Sequence, residues 1–82
     1  MLTRSALLSE NGLPDLPALL VEPHRNPRGI WRIKFSYEAS EPLSMSAEQA
    51  TTMAAALHEI GETELADEID AALKSAVRYS SM

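Results

Sequence analysis

The sequence predicts an α+β domain, in which a small antiparallel β-hairpin or three-stranded meander packs against a C-terminal antiparallel pair of helices. Apolar and polar side chains alternate along residues 30–37, as in a strand with one buried face. Apolar residues then recur at helical spacing over residues 47–60 and 64–77, and only a short connection around Gly61 separates the two segments. With 82 residues and 45% apolar side chains, the chain has the size and composition of one folded domain.

The N-terminal part is expected to be less regular. We predict an extended or partly ordered segment over residues 1–17, followed by a single α+β domain over residues 18–82. One or two helical turns, ended by Asn11 and Gly12, are the alternative to a loose terminus. Pro14 and Pro17 exclude a helix in the second half of this segment, because proline lacks an N–H and restricts the residue before it.

Two strands and a turn are expected next. The first strand, residues 18–22, lies between two prolines, and because proline cannot donate to a ladder we place this strand at a sheet edge. Residues 26–29 have the composition of a type I turn and lead into the second strand, residues 30–37. Residues 43–45 supply a short third strand in the meander alternative. The second strand carries large apolar side chains on one face: Trp31, Ile33, Phe35 and Tyr37.

Two helices should complete the domain. Ser46 is a suitable N-cap for the first, and Gln49 three residues later is typical of a capping box. Gly61 should end that helix, and Thr63 should begin the second. The predicted core adds the following residues to the aromatic face: Leu20 or Val21, Met53, Leu57, Ile60, Leu65, Ile69, Leu73 and Val77.

Charge is unevenly distributed along the chain. The total is 7 Lys and Arg against 12 Asp and Glu, a net charge of −5. Residues 23–37 contain four basic residues and no acid, whereas residues 38–70 contain nine acids and no Lys or Arg. We call residues 23–37 the basic ribbon. It fits an acidic partner surface or phosphates, and the alternative is that its charges only keep an exposed edge soluble. The candidate partner-binding residues are His24, Arg25, Arg28, Arg32 and Lys34.

No motif predicts catalysis, a metal or a cofactor. The chain has no cysteine, no GxSxG turn and no glycine-rich phosphate loop. His24 and His58 are far apart in sequence, and neither has a second histidine at HExxH or i,i+4 spacing. We therefore expect no enzyme, no metal site and no cofactor, and we interpret Glu59 and Glu62 near His58 as part of a solvated acidic surface.

Residues 43–79 resemble the ribbon-helix-helix repressors in outline. A short strand precedes a capped helix, a glycine and a second helix, and Met53, Leu57 and Ile60 are similar in spacing to the first helix of that family. The resemblance covers less than half of the chain and implies DNA recognition by the strand. In this chain the strand region, residues 41–45, contains an acid, a proline and no basic side chain, so the resemblance implies a degenerate form.

These observations predict a small acidic, non-enzymatic module for protein interaction or regulation, whose partner is another protein or a second copy in a homodimer. The alternative is a nucleic-acid-related regulator, either a degenerate ribbon-helix-helix-like repressor or an acidic DNA mimic that inhibits a DNA-binding protein. The net negative charge opposes direct binding of nucleic acid. Apolar runs such as residues 18–21 are too short to cross a membrane, and we expect a cytoplasmic protein.

Overall fold

A computed structural model describes residues 2–38 and 41–80 and contains three helices and three strands in those ranges. The elements in chain order are α1 (Arg4–Glu10), β1 (Leu20–Arg25), β2 (Trp31–Ser36), β3 (Leu43–Met45), α2 (Ala47–Glu59) and α3 (Thr63–Ser80). The strands form one antiparallel sheet in the order β1-β2-β3, and the two longer helices follow it. The predicted α+β class is confirmed, and of the two predicted sheets, the hairpin and the three-stranded meander, the meander is the one that forms.

The central strand β2 carries the core of the sheet. Ile33 and Phe35 are fully buried beneath α2 and α3, whereas Trp31 and Tyr37 are partly buried and pack against the same cluster. The indole of Trp31 also lies against the ring of Tyr79 on α3, with 5.3 Å between ring centroids. The aromatic face predicted for this strand therefore meets the C-terminal half of the chain.

The edge strand β1 differs from its predicted bounds. It begins at Leu20 and continues through Pro23, which pairs with Ile33, whereas we expected the strand to end before this proline. An edge position tolerates proline because the missing donor can face away from the neighbouring strand. Of the two core alternatives on this strand, Val21 packs against the core and Leu20 is 60% exposed, while Leu19, just before the strand, is buried.

The N-terminal segment contributes to the same core. Thr3 Oγ1 accepts a hydrogen bond from the N–H of Ala6 at the start of α1. The helix ends at Asn11 and Gly12, where Gly12 adopts a positive φ and the N–H of Leu13 donates to the carbonyl of Leu8. The buried side chains of this region are Leu7, Leu8 and Leu13. Of the two alternatives for these residues, the short helix is the one that forms.

The ends of α2 largely follow the sequence signals. Ser46 Oγ accepts from the N–H of Gln49 at 3.0 Å, as expected for an N-cap. The Gln49 side chain does not complete a capping box; it donates to Asn11 Oδ1 at 3.0 Å and so links α2 to the end of α1. At the other end, Gly61 adopts a φ of 87°, and the N–H of Glu62 donates to the carbonyl of Leu57. This closed turn directs the chain at once into α3.

Helix α3 buries smaller residues than we predicted. Val77, expected in the core, is 66% exposed, while Ala72 and Ala76 are buried. The buried positions Leu65, Ile69, Ala72 and Ala76 follow spacings of four and three residues, and Val77 lies one position beyond this stripe. Small side chains on the stripe allow α3 to lie close to its neighbours. Within the described ranges, no helix is long and apolar enough to cross a membrane.

Candidate interaction surface at the hairpin tip

A tight turn presents the basic residues between β1 and β2. Asn26 Oδ1 accepts from the backbone N–H groups of Arg28 and Ile30, at 3.0 and 2.9 Å. The N–H of Gly29 donates to the Asn26 carbonyl at 2.9 Å, and Gly29 adopts a φ of 81°. These bonds close the turn on itself, so its side chains project from a fixed backbone.

Three basic side chains are exposed at this end of the molecule. His24, Arg25 and Arg28 lie at the surface, and no carboxylate of the described residues is within ion-pair distance of them. The Arg25 guanidinium lies over the turn, because a Cβ placed on Gly29 would be 3.2 Å from Arg25 Nη2. Ile30 beside them is 54% exposed. We call these four residues, His24, Arg25, Arg28 and Ile30, the hairpin tip.

The other two basic candidates have partners within the sheet. Lys34 Nζ lies 3.1 Å from Glu22 Oε1 on the adjacent strand. Arg32 donates from Nε to Ser44 Oγ at 2.7 Å and from Nη2 to the Ser44 carbonyl at 3.3 Å. Both side chains are half-buried on the sheet face opposite the aromatic residues. The five candidates therefore separate into a group that braces the sheet and a group that faces solvent.

Proline obstructs the free edge of β1. The N–H of Asn26 donates to the Ile30 carbonyl, so these two residues form a hydrogen-bonded pair. In an antiparallel ladder such pairs alternate with pairs that are not hydrogen-bonded. The backbone groups of Val21, Pro23 and Arg25 therefore point away from β2. Because Pro23 has no N–H, the middle of this edge offers no donor to an incoming strand. Addition of a partner strand along β1 is accordingly disfavoured.

An arginine covers the opposite edge. By the same alternation, Ile33 and Met45 exchange hydrogen bonds, and the backbone groups of Ser44 on β3 face outward. The Arg32 guanidinium donates to this outward carbonyl, and β3 is only three residues long. Short edges with a covered acceptor are poor templates for strand addition. Neither edge of the sheet is an open docking strand.

The exposed acids are concentrated on the helices. We define the acidic face by the exposed carboxylates of α2 and α3: Glu48, Glu59, Glu64, Asp67 and Glu68. Among these five, Asp67 alone lies within 4.0 Å of a cationic or titratable nitrogen in the described structure, that of His58. These five acids lie on the helix pair and none lies at the hairpin tip, while α3 also carries the exposed cations Lys74 and Arg78 toward its end.

Arg4 makes contacts that were not predicted from the sequence. Its Nε donates to Asp15 at 3.1 Å, its Nη2 donates to the Leu16 carbonyl at 2.8 Å, and its Nη1 lies 3.6 Å from Glu62. Asp15 also accepts a hydrogen bond from the Ser5 hydroxyl. That hydrogen bond, together with the one from Arg4 and its positive charge, lowers the pKa of Asp15 although partial desolvation opposes the shift. The sequence indicates such contacts only weakly: Arg4 is the one basic residue among residues 1–22, which also contain three acids.

Surface cavities are found beside residues 17–23, which lead into and form the first part of β1. Arg4 lines one of about 350 Å³ together with the carboxylates Glu62, Glu64 and Glu68. Two more both include Leu19 and Leu20 at the start of β1, and none of the three includes His58.

His58 also has partners that were not predicted from the sequence. Its Nε2 lies 2.9 Å from Asp70 Oδ2 and 3.8 Å from Asp67 Oδ1, both on α3. The acids that follow it in sequence, Glu59 and Glu62, are not the ones it meets. Its partners are nine and twelve residues away along the chain, and they come close only because α2 and α3 pack antiparallel. No local sequence pattern predicts this contact.

Searches of protein-family models, curated proteins and solved structures find no match to this chain.

Proposed function

We propose that the protein is a non-enzymatic interaction module that associates with a second copy of itself, the hairpin tip of one copy contacting the acidic face of the other. The observation that carries the proposal is the position of the charges. Three exposed basic side chains lie at one end with no carboxylate partner in the described structure, while five exposed acids lie on α2 and α3.

Complementary charge supports this mode over strand pairing. Opposite charges on two surfaces steer association and set its orientation, whereas the two sheet edges are obstructed by Pro23 and by the Arg32–Ser44 contact. Ile30 adds an exposed apolar side chain next to the turn that carries the basic group. An apolar anchor with a charged rim is the usual composition of a protein interface.

A two-fold dimer satisfies both surfaces of each copy. In such a dimer the tip of the first copy meets the helices of the second, and the second repeats the contact on the first. A domain of 82 residues also has a small core, so added interface area stabilises the fold. The proposal includes a cytoplasmic location, which the absence of cysteine permits.

Sedimentation equilibrium tests the proposal. The mass should rise from 9.0 kDa toward twice that value as concentration increases, and the rise should weaken with added salt. The double variant Arg25→Glu/Arg28→Glu should remain monomeric. The control Lys74→Glu/Arg78→Glu changes net charge by the same amount at exposed positions of α3, so it separates a local contact from overall repulsion.

A charge exchange identifies the partner surface. Glu64→Lys/Glu68→Lys should also be monomeric alone, and an equimolar mixture with Arg25→Glu/Arg28→Glu should form a heterodimer. A 9.0 kDa monomer at high micromolar concentration in low salt would refute the proposal. Salt-sensitive binding to duplex DNA that the hairpin-tip variant abolishes would instead favour the nucleic-acid alternative.

A further inference from the structure

His58, Asp67 and Asp70 bring three ligand atoms together across the helix pair. The imidazole Nε2 and one oxygen from each carboxylate all lie within 4.8 Å of one another. His58 belongs to the last turn of α2, and the two aspartates are three residues apart on one side of α3. The three groups therefore come from two rigid elements joined by the closed turn at Gly61.

We propose that these three residues bind a divalent transition metal, with zinc as the ion that the donor set favours. One imidazole nitrogen and two carboxylate oxygens are donors that Zn²⁺ accepts, and three protein ligands leave a fourth position for water. Magnesium and calcium prefer sites made of oxygen alone, so the imidazole separates this group from an ordinary patch of surface acids. The proposal does not depend on the self-association argued above.

The separations suit a tetrahedral ion. Bonds of about 2.0 Å at tetrahedral angles place neighbouring ligand atoms about 3.3 Å apart. The distances from His58 Nε2 to Asp70 and Asp67, 2.9 and 3.8 Å, lie on either side of that value. The Asp67 side chain is 73% exposed and has room to rotate toward the ion. Small side-chain movements complete the geometry without a change in the backbone.

The electrostatic surroundings also favour a cation. Within the described ranges, no lysine or arginine lies within 4.0 Å of Asp67 or Asp70, so no internal cation occupies their oxygens. The imidazole is at the C-terminal end of α2, where the helix dipole attracts positive charge. A bound ion would join the last turn of α2 to α3.

Metal titration of the purified full chain tests the site. With Zn²⁺ we expect one equivalent to bind, and with Co²⁺ we expect visible absorption bands of a four-coordinate ion that excess zinc removes. His58→Gln and Asp70→Asn should each lower zinc affinity by about tenfold or more. Removing a residue that only orients a metal ligand already costs about tenfold in affinity, and removing the ligand itself should cost at least as much. Thermal stability of the wild type should rise with zinc concentration.

The second histidine provides the matched control. His24→Gln removes an exposed imidazole from the hairpin tip and should leave zinc affinity unchanged, and Glu59→Gln should do the same for an adjacent acid. Far-UV circular dichroism establishes that each variant is folded. Equal zinc binding by His58→Gln and wild type, absence of saturable binding, or calcium binding as tight as zinc would each overturn the proposal. Sedimentation equilibrium in the presence of a chelator measures dimerisation without bound metal, so the metal site and the self-association can be tested independently.

Discussion

Leu8→Ala measures how strongly the N-terminal helix is tied to the domain. Leu8 is fully buried in the same cluster as the sheet and the long helices. Truncating a buried leucine to alanine costs 2–5 kcal/mol, and we expect about 3 kcal/mol here. A domain of this length has a total free energy of unfolding of about 4–12 kcal/mol, so the substitution removes a large share of it. An unfolding entropy of about 0.17 kcal/mol/K for this length converts the loss to a Tm decrease of about 15–20 °C.

Urea denaturation followed by circular dichroism and by the fluorescence of Trp31 gives the free energy directly. Leu2→Ala is the matched control, because Leu2 is 47% exposed, and it should change stability by less than about 0.5 kcal/mol. If Leu8→Ala does not fold, Leu13→Ala tests the same cluster from the other side of the turn. Equal stability of Leu8→Ala and Leu2→Ala would refute the packing of α1 into the core.

Two further predictions concern an aromatic contact and a carboxylate. Tyr79→Ala should shift the fluorescence emission of Trp31 and lower the free energy of unfolding by about 0.5–1.5 kcal/mol through the lost ring pair. The control Arg78→Ala should leave the emission unchanged. An unchanged spectrum in Tyr79→Ala would contradict the contact. Because the folded state lowers the pKa of Asp15 below 3.8, its stabilisation is complete above that pH and is lost as pH falls through the folded value. Asp15→Asn should therefore flatten the decline of Tm in acid relative to the exposed control Glu10→Gln, and parallel Tm curves would refute this assignment.

Local periodicity and turn chemistry were sufficient to predict the layers of the fold. The alternation along β2 identified Ile33 and Phe35 as buried, and the cap at Ser46 with the stop at Gly61 delimited α2. Each of these signals is confined to a few neighbouring residues and is not altered by the rest of the chain. The class of the domain follows because only a few arrangements bury both a strand face and two helical stripes.

The details that sequence could not supply depend on contacts between distant residues. Leu19 and Leu20 are equally apolar neighbours, and the register of β1 against β2 decides that Leu19 is buried and Leu20 exposed. Gln49 satisfied the capping-box pattern, yet Asn11 competes for its side chain through the packing of α1 on α2. His58 and Asp70 likewise meet only after the two helices have packed.

The basic ribbon shows why charge in a sequence is ambiguous until partners are known. Arg32 and Lys34 alternate with apolar residues in the same strand, and both have intramolecular partners that brace the sheet. His24, Arg25 and Arg28 flank the turn, where the backbone bonds to itself and no acid of the described chain reaches them. Substitutions of Arg32 should therefore act first on stability and on the protected β3 edge, whereas substitutions at the tip should act first on association. This separation of effects distinguishes a binding surface from a solubilising one, which would respond to net charge alone.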